Sequence, residues 1–141
     1  LYDKIFDVNL KGPFRLTALV GSRMVAGDGG SIINISSTAS IRPAPSTAPY
    51  GAAKAGLNAI TVAYAHEYGP TVRVNCIAAG WIRTAWGETA SDAWQQRVLR
   101  DTPLARWGEP ADVAHLARFL LSRESDYLTG QVIYANGGAQ R

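Results

Sequence analysis

From Leu1 to Ala26 the large apolar residues Ile5, Val8, Leu10, Phe14, Leu16, Leu19, Val20 and Met24 recur at helical spacing. The glycine-rich Gly27–Gly30 ends that run. Ser31–Ser36, SIINIS, is short, apolar and β-branched, which predicts a strand buried on both faces. A loop rich in Ser, Pro and Ala comes next, from Ser37 to Thr47. Pro49 suits the first turn of the next helix, where its missing N–H costs little, and Gly69-Pro70 stops that helix after Tyr68. Val72–Ala78, VRVNCIA, reads as a second strand, and Gln131–Ala135, QVIYA, as a third. Between them lie a long excursion over Gly80–Pro103, with a short helix near Asp92–Arg100, and an amphipathic helix over Pro110–Ser122. Strands alternating with helices of this length predict βαβ units, a parallel sheet and an α/β fold in one domain.

Composition narrows the classes. At 141 residues, 47% hydrophobic and 18% charged, the chain reads as an ordinary globular domain. Its net charge of +3 comes from scattered basic residues, which argues against a nucleic-acid surface. Cys76 is the single cysteine, so no internal disulfide forms, and with only His66 and His115 no zinc set is expected. These features suggest a reducing, cytoplasmic setting. No run of eighteen apolar residues is present, so no membrane span is expected. The opening LYDKIFDVNLKG interleaves charges with apolar residues, unlike a signal peptide, and carries no initiator methionine.

The candidate chemistry centres on STAPYGAAKAGL, residues 46–57. Tyr50 and Lys54 stand at i and i+4, on one helix face. A free phenol, with a pKa of about 10, is a poor acid–base group at neutral pH. An ammonium held about 4 Å away favours the phenolate by up to about 4 kcal/mol at an effective dielectric near 20. On spacing alone, however, a solvated helix face explains the pair more often. Ser37 changes the weighing. It ends a predicted parallel strand, where ligands of open α/β sheets gather, and its hydroxyl can hydrogen-bond a substrate oxygen. Taken singly, it also reads as a loop serine capping a turn, which is all that Ser36 and Ser40 need be. Asn9 precedes Pro13 by four residues, and Pro13 has no N–H for the Asn9 carbonyl. A kink is expected there. The freed carbonyl either holds a water that Lys54 meets or marks a merely structural bend.

With DVNLKGPF, GGSIINISS, YGAAK, VRVNCIAAGWIRT and LTGQVIYANGG in order, essentially the whole chain resembles the short-chain dehydrogenase/reductase family. It resembles the large bacterial group that includes 3-oxoacyl reductases and sugar or polyol dehydrogenases. The resemblance implies a Rossmann-like doubly wound parallel sheet and hydride transfer between NAD or NADP and a carbonyl or alcohol carbon. It implies Tyr50 as general acid/base, Lys54 as the group that favours its phenolate and binds the nicotinamide ribose, and Ser37 as the group orienting the substrate oxygen. It makes the Asn9 main chain the holder of a relay water. Gly80, the backbone around Ile82, and Thr84 would meet the cofactor alongside Tyr50 and Lys54.

Three departures stand out. Ala79-Gly80 replaces the usual Pro-Gly, and Asn136 stands where an aspartate often precedes the two glycines. More consequentially, no glycine-rich strand-to-helix turn exists to cradle a pyrophosphate, since the Gly27–Gly30 cluster precedes a strand. Residues 1–141 therefore read as the carboxyl-terminal, catalytic half of one Rossmann-like domain. That half holds the last three strands and their helices, and the choice of NAD or NADP lies in the other half. All four tryptophans, Trp81, Trp86, Trp94 and Trp107, fall in the family's substrate loop. Trp81, Trp86 and Trp94 are the expected substrate lid over an apolar or ring-shaped substrate, and Trp107 is as readily core packing. Arg83 and Arg97 are candidate contacts for an acidic substrate group, or simply solvated. Residues 1–26 and 49–68 would pair across a two-fold axis, giving a dimer or tetramer. The rival reading is an inactive, truncated interaction or dimerisation module.

Overall fold

The computed structural model describes residues 1–139. The first helical segment comprises α1 (Tyr2–Phe6), a π-helical turn (Asp7–Lys11) and α2 (Gly12–Ala26). The sheet begins with β1 (Gly30–Ser37), succeeded by 3-10 turns at Thr38–Ser40 and Pro45–Thr47. Then come α3 (Ala48–Tyr68), β2 (Val72–Ala79), α4 (Ala85–Glu88), α5 (Asp92–Asp101), α6 (Pro110–Leu121), a 3-10 turn at Arg123–Ser125 and β3 (Val132–Ala135). The strands form one parallel sheet in the order β1-β2-β3. The three predicted strands and their intervening helices thus all form. The kink expected near Pro13 takes the form of the π turn just before it, closed by the Gly12 N–H on the Asp7 carbonyl.

β2 is the middle strand. Val72, Val74, Asn75, Cys76, Ile77 and Ala78 are all buried, as a strand covered on both faces requires. β1 differs from expectation. It is not buried on both faces, because it is an edge strand among the described residues, and Ile35 is 48% exposed. An open cleft of about 340 Å³ runs beside it, floored by Ile32, Ile33 and Ile35 and walled by Leu16 and Val20. The apolar residues that predicted burial are present, but among the described residues Ile32 and Ile33 are only partly covered and Ile35 is left exposed.

The core sits under β2, where Tyr64, Ala65 and Tyr68 of α3 pack on Val72 and Val74. Helix α2 reaches α3 through Gly21, where an added Cβ would lie 2.1 Å from the Tyr68 ring, and the Tyr68 hydroxyl donates to the Ala18 carbonyl at 3.2 Å. A buried polar chain crosses three elements. Thr17 donates to Asn34 Oδ1 (3.2 Å), Asn34 Nδ2 to Thr61 Oγ1 (3.0 Å), and Thr61 to the Leu57 carbonyl (3.0 Å). Because every member is satisfied, the chain fixes α2 and α3 on β1 without an orphaned polar group.

Arg73 and Asn75 anchor the loop that leads into β3. Arg73 donates to the carbonyls of Leu128 and Ser122. Fully buried Asn75 donates to the Leu128 carbonyl at 2.7 Å and accepts from the Gln131 N–H at 3.1 Å. The excursion after β2 is longer than expected and closes at Gly108, not Pro103. The Gly108 N–H bonds the Trp81 carbonyl (2.9 Å), and the Arg83 N–H bonds the Gly108 carbonyl (2.8 Å). Arg106 adds a two-pronged pair with Asp112, at 2.7 and 3.0 Å, at the start of α6.

These anchors set two expectations for stability. Asn75→Ala leaves the Gln131 N–H and a share of the Leu128 carbonyl without partners in a buried site, which costs about 2–3 kcal/mol. Urea denaturation should show that loss; a midpoint unchanged from the parent would contradict it. The second concerns Asp112, whose pKa is lowered from an ordinary 3.8 to about 2, first by the Arg106 hydrogen bond and then by the Glu109 N–H. A carboxylate with a lowered folded-state pKa stabilises fully above its unfolded pKa and loses that contribution as pH falls through the folded one. The stability advantage over Asp112→Asn should therefore hold above pH about 4 and vanish between about 4 and about 2. A pH series of denaturation midpoints measures it, and an advantage constant down to pH 2 would rule the pairing unimportant.

Candidate active site

The parallel register brings Ser37, Ala79 and Ala135 to the same end of the sheet, their strands' carboxyl ends. Helix α3 packs across the turn after β1. Its small residues permit this approach. An added Cβ at Gly51 would lie 2.6 Å from the Ala39 carbonyl oxygen and 2.5 Å from Pro43 Cβ. Pro49 sits in the first turn of the helix, as predicted.

On this helix Tyr50 and Lys54 face the same way, with Lys54 Nζ 5.7 Å from the Tyr50 ring centroid. The ammonium donates to the Ile35 carbonyl of β1 at 2.8 Å, two residues before Ser37. The Lys54 carbonyl in turn accepts from the buried Ser36 hydroxyl at 3.1 Å. Lys54 is thus tied to β1 at both its ends. Burial pulls its pKa below the ordinary lysine value, with Cys76 opposing. Burial also pushes the Cys76 thiol up, so it stays neutral and packs as a small apolar residue.

Ser37 caps the Thr38–Ser40 turn, accepting from the Ala39 N–H at 3.2 Å. That bond uses an acceptor site, and the Ser37 hydroxyl hydrogen remains for another partner. The two roles weighed for Ser37, turn cap and substrate contact, are therefore compatible. Ser36 and Ser40 have other tasks: Ser36 bonds Lys54, and Ser40 accepts from Asn58.

Asn9 lies in the π turn, and its Nδ2 donates to the Ile5 carbonyl at 3.0 Å. The turn packs on α3, with Leu10 lying over Gly56, two residues beyond Lys54. Asn9 is therefore beside the helix that carries the pair.

Beyond β2, Gly80 passes against Asn136, where a Cβ would lie 2.7 Å from its Cα. Ile82 pairs with Gly108 through the carbonyl of Trp81 and the N–H of Arg83, bonds that leave the N–H and carbonyl of Ile82 itself unused. Thr84 is the N-cap of α4. Asn136 accepts from the Gly138 N–H at 3.1 Å, so it forms the side-chain turn that an aspartate would also make.

The tryptophans do not stand apart along the excursion. Trp81 stacks near Trp86 (6.1 Å between centroids), lies tilted against Trp94 (4.9 Å) and meets Trp107 edge-on (6.2 Å). Trp107 is 2% exposed and anchors the cluster, whereas Trp86 is 53% exposed. Arg83 pairs with Glu109 at 3.2 Å, and Arg97 pairs with Asp101 while lying over the Trp94 ring. Both arginines are thus engaged by the protein itself. A cleft of about 460 Å³ adjoins the base of the excursion, between Trp81, Leu104, Tyr134 and Asn136; Tyr50 and Ser37 do not line it.

Among the described residues no cluster of His, Cys, Asp and Glu could hold a metal, and no helix is long and apolar enough to cross a membrane. A nicotinamide nucleotide fits the residues present at one end only. The Lys54 ammonium offers donors for a ribose, and the Ile82 N–H and carbonyl offer a donor and an acceptor for a carboxamide. No glycine-rich strand-to-helix turn is present for the pyrophosphate. Sequence reading passed over Asn58, Arg73, Asn75 and the Asn34 network, and took Ser40 only for a turn serine. The available signal was a polar residue, Asn58, one turn beyond Lys54 on the same stripe.

A family model described as enoyl-(acyl carrier protein) reductase matches residues 1–140. The chain is 41% identical over 138 residues to the 3-oxoacyl-[acyl-carrier-protein] reductase of Thermotoga maritima, covering 97% of this chain and 56% of that protein. Its structure resembles a short-chain alcohol dehydrogenase from Sinorhizobium meliloti, with a TM-score of 0.93 and 40% identity over 99% of this chain and 56% of the other. A 3-oxoacyl-[acyl-carrier protein] reductase from Brucella melitensis with bound NAD matches with a TM-score of 0.90 and 34% identity, over 99% of this chain and 52% of the other. The chain therefore spans little more than half the length of these relatives. With its whole length matched by relatives of one kind, it belongs to the short-chain dehydrogenase/reductase family.

Proposed function

We propose that these residues form the catalytic half of an NAD(P)-dependent oxidoreductase acting on a small carbonyl or alcohol substrate. The observation that carries this reading is the Tyr50–Lys54 face of α3, tied to β1 beside Ser37 by the Lys54–Ile35 bond. When bound, the nicotinamide supplies or accepts the hydride at the substrate carbon. In the reducing direction the Ser37 hydroxyl donates a hydrogen bond to the carbonyl oxygen, polarising it. Tyr50 gives its phenolic proton to that oxygen as the C–O double bond becomes single. The Lys54 ammonium stabilises the resulting phenolate, and a water on the Asn9 main chain links Lys54 to solvent for the returning proton. Oxidation runs the same steps in reverse, with Tyr50 accepting the proton.

The Lys54 donors and the Ile82 backbone groups hold the nicotinamide end, and Gly80 and Thr84 border it. The pyrophosphate cradle belongs to a further segment that pairs with the open edge of β1. Relatives solved with NAD and with NADP support either cofactor. Trp81, Trp86 and Trp94 form the wall of the substrate lid. Phe14 and Leu19 of α2 and Val62 of α3 are exposed apolar residues outside the cleft beside β1, which supports pairing of these helices between two copies. The same exposed surfaces favour the second reading, an inactive interaction module. The two readings part on turnover.

In the active holoenzyme, Tyr50→Phe should remove nearly all turnover while cofactor affinity stays within a few-fold. A kcat near that of the parent would refute the Tyr50 assignment. The 141 residues alone should show no calorimetric binding of NAD or NADP. They should also aggregate or self-associate, because each uncovered large apolar side chain forfeits about 1.5–3 kcal/mol of a total stability near 5–15 kcal/mol. Micromolar affinity from a folded monomer would show a complete dinucleotide site instead.

A further inference from the structure

Helix α3 carries a third polar residue on the stripe of Tyr50 and Lys54. Asn58 lies one turn further on, half-buried, and both ends of its amide are engaged. Its Nδ2 donates to Ser40 Oγ at 2.9 Å, and its Oδ1 accepts from the Cys76 thiol at 3.6 Å. Ser40 is the last residue of the turn that Ser37 caps. The turn meets α3 at a second point, where the Ala39 carbonyl oxygen comes so close that only glycine fits at position 51.

We infer that Asn58 and Ser40 are positioning residues: their hydrogen bond clamps the Thr38–Ser40 turn to α3 and so fixes the Ser37 hydroxyl relative to Tyr50 on the same helix. The inference rests on the proposed roles of Ser37 and Tyr50. Its physical basis is geometric. Ser37 is the last paired residue of β1, beyond which strand pairing no longer restrains the turn, and its hydroxyl accepts the Ala39 N–H. Beyond Ser40 the chain runs through exposed Arg42, Pro43, Ala44 and Pro45 before it rejoins the helix. Gly51 presses on one side of the turn, but a van der Waals stop limits approach without preventing retreat. Asn58 supplies the pull. Cys76, on the central strand, holds the amide from the other side, so the clamp is referred to the most deeply buried part of the sheet. Because one helix bears the proton donor, the lysine and the clamp, a shift of α3 carries the Ser37 turn with it and preserves their spacing.

The test uses Ser40→Ala, Ser40→Thr and Asn58→Ala in the active holoenzyme, with a panel of 3-oxo esters, cyclic ketones and polyols and either cofactor, and crystal structures of each variant. Misplacing a reacting group by about 1 Å costs up to roughly a hundredfold in rate. Ser40→Ala and Asn58→Ala should lower kcat roughly tenfold to a hundredfold with KM within about twofold. Ser40→Thr, which keeps the hydroxyl, should restore most of the rate although its thermal midpoint falls no less than that of Ser40→Ala. In the crystal structures of the two alanine variants the Ala39 N–H should have left Ser37 Oγ. Undiminished kcat in Ser40→Ala and Asn58→Ala, a Ser40→Thr rate as low as that of Ser40→Ala, or a turn unmoved in the crystals would overturn the clamp. Tyr50→Phe is measured in parallel. If it retains full turnover, the catalytic reading fails, and the crystal structures still decide whether Asn58 holds the turn.

Discussion

Everything at the candidate site depends on how closely α3 can lie against the end of β1. A helix normally keeps its backbone several ångströms from a sheet because side chains intervene. Here the intervening positions are glycine and alanine, and the contacts that remain are backbone to side chain: Lys54 Nζ on the Ile35 carbonyl and Ser36 Oγ on the Lys54 carbonyl. A lysine that reaches back to the strand beneath its own helix has few ways to point. The arrangement gives up much of the side chain's rotamer freedom and part of its hydration, and the lowered pKa of Lys54 reflects the latter. The gain is an ammonium whose place relative to Tyr50 is set by the scaffold before any ligand arrives.

The excursion from Trp81 to Gly108 obeys a different logic. Its start and end are stitched by two backbone hydrogen bonds at Trp81, Arg83 and Gly108, so it is a closed loop on a fixed base. Inside, four indoles pack together, Trp81 and Trp86 each meeting the other three, and the Gln95 side chain bonds the Gly87 carbonyl to join α5 to α4. The segment has a small core of its own. Its arginines are matched by Glu109, Asp101 and Asp112, which leaves the indole face of Trp86 as the large exposed apolar surface of the tryptophan cluster.

The sequence told much about this fold because its signals are local. Helical and strand periods, Pro49 at a helix start and Gly69 at its end each act over a few residues, and the elements form where those signals stand. Tyr50, Lys54 and Ser37 were legible for the same reason, through spacing within one helix and at one strand end. The residues that escaped notice work across distance. Asn75 meets Leu128 and Gln131 more than fifty positions away, and Asn34 joins Thr17 to Thr61. Nothing in a window of ten residues distinguishes such an asparagine from one at a turn. The exposure of β1 was hidden for a related cause: SIINIS states that the strand is made for burial but not whether a neighbour is present.

The π turn at Asp7–Lys11 has a consequence for the first helix as a whole. A π turn accommodates one more residue than an α turn, and one residue corresponds to about 100° of rotation around a helix axis. The stripe carried by α2 is therefore out of phase with the stripe carried by α1, and no single helical wheel describes residues 2–26. Leu10 is wound inward onto Gly56 while Val8 is left outward, although both belong to one unbroken apolar rhythm in the sequence. The turn acts as a gear between two halves of one rod. It lets α2 seat on Tyr68 at Gly21 while Leu10 is wound onto Gly56, so the two packing faces need not share an angle.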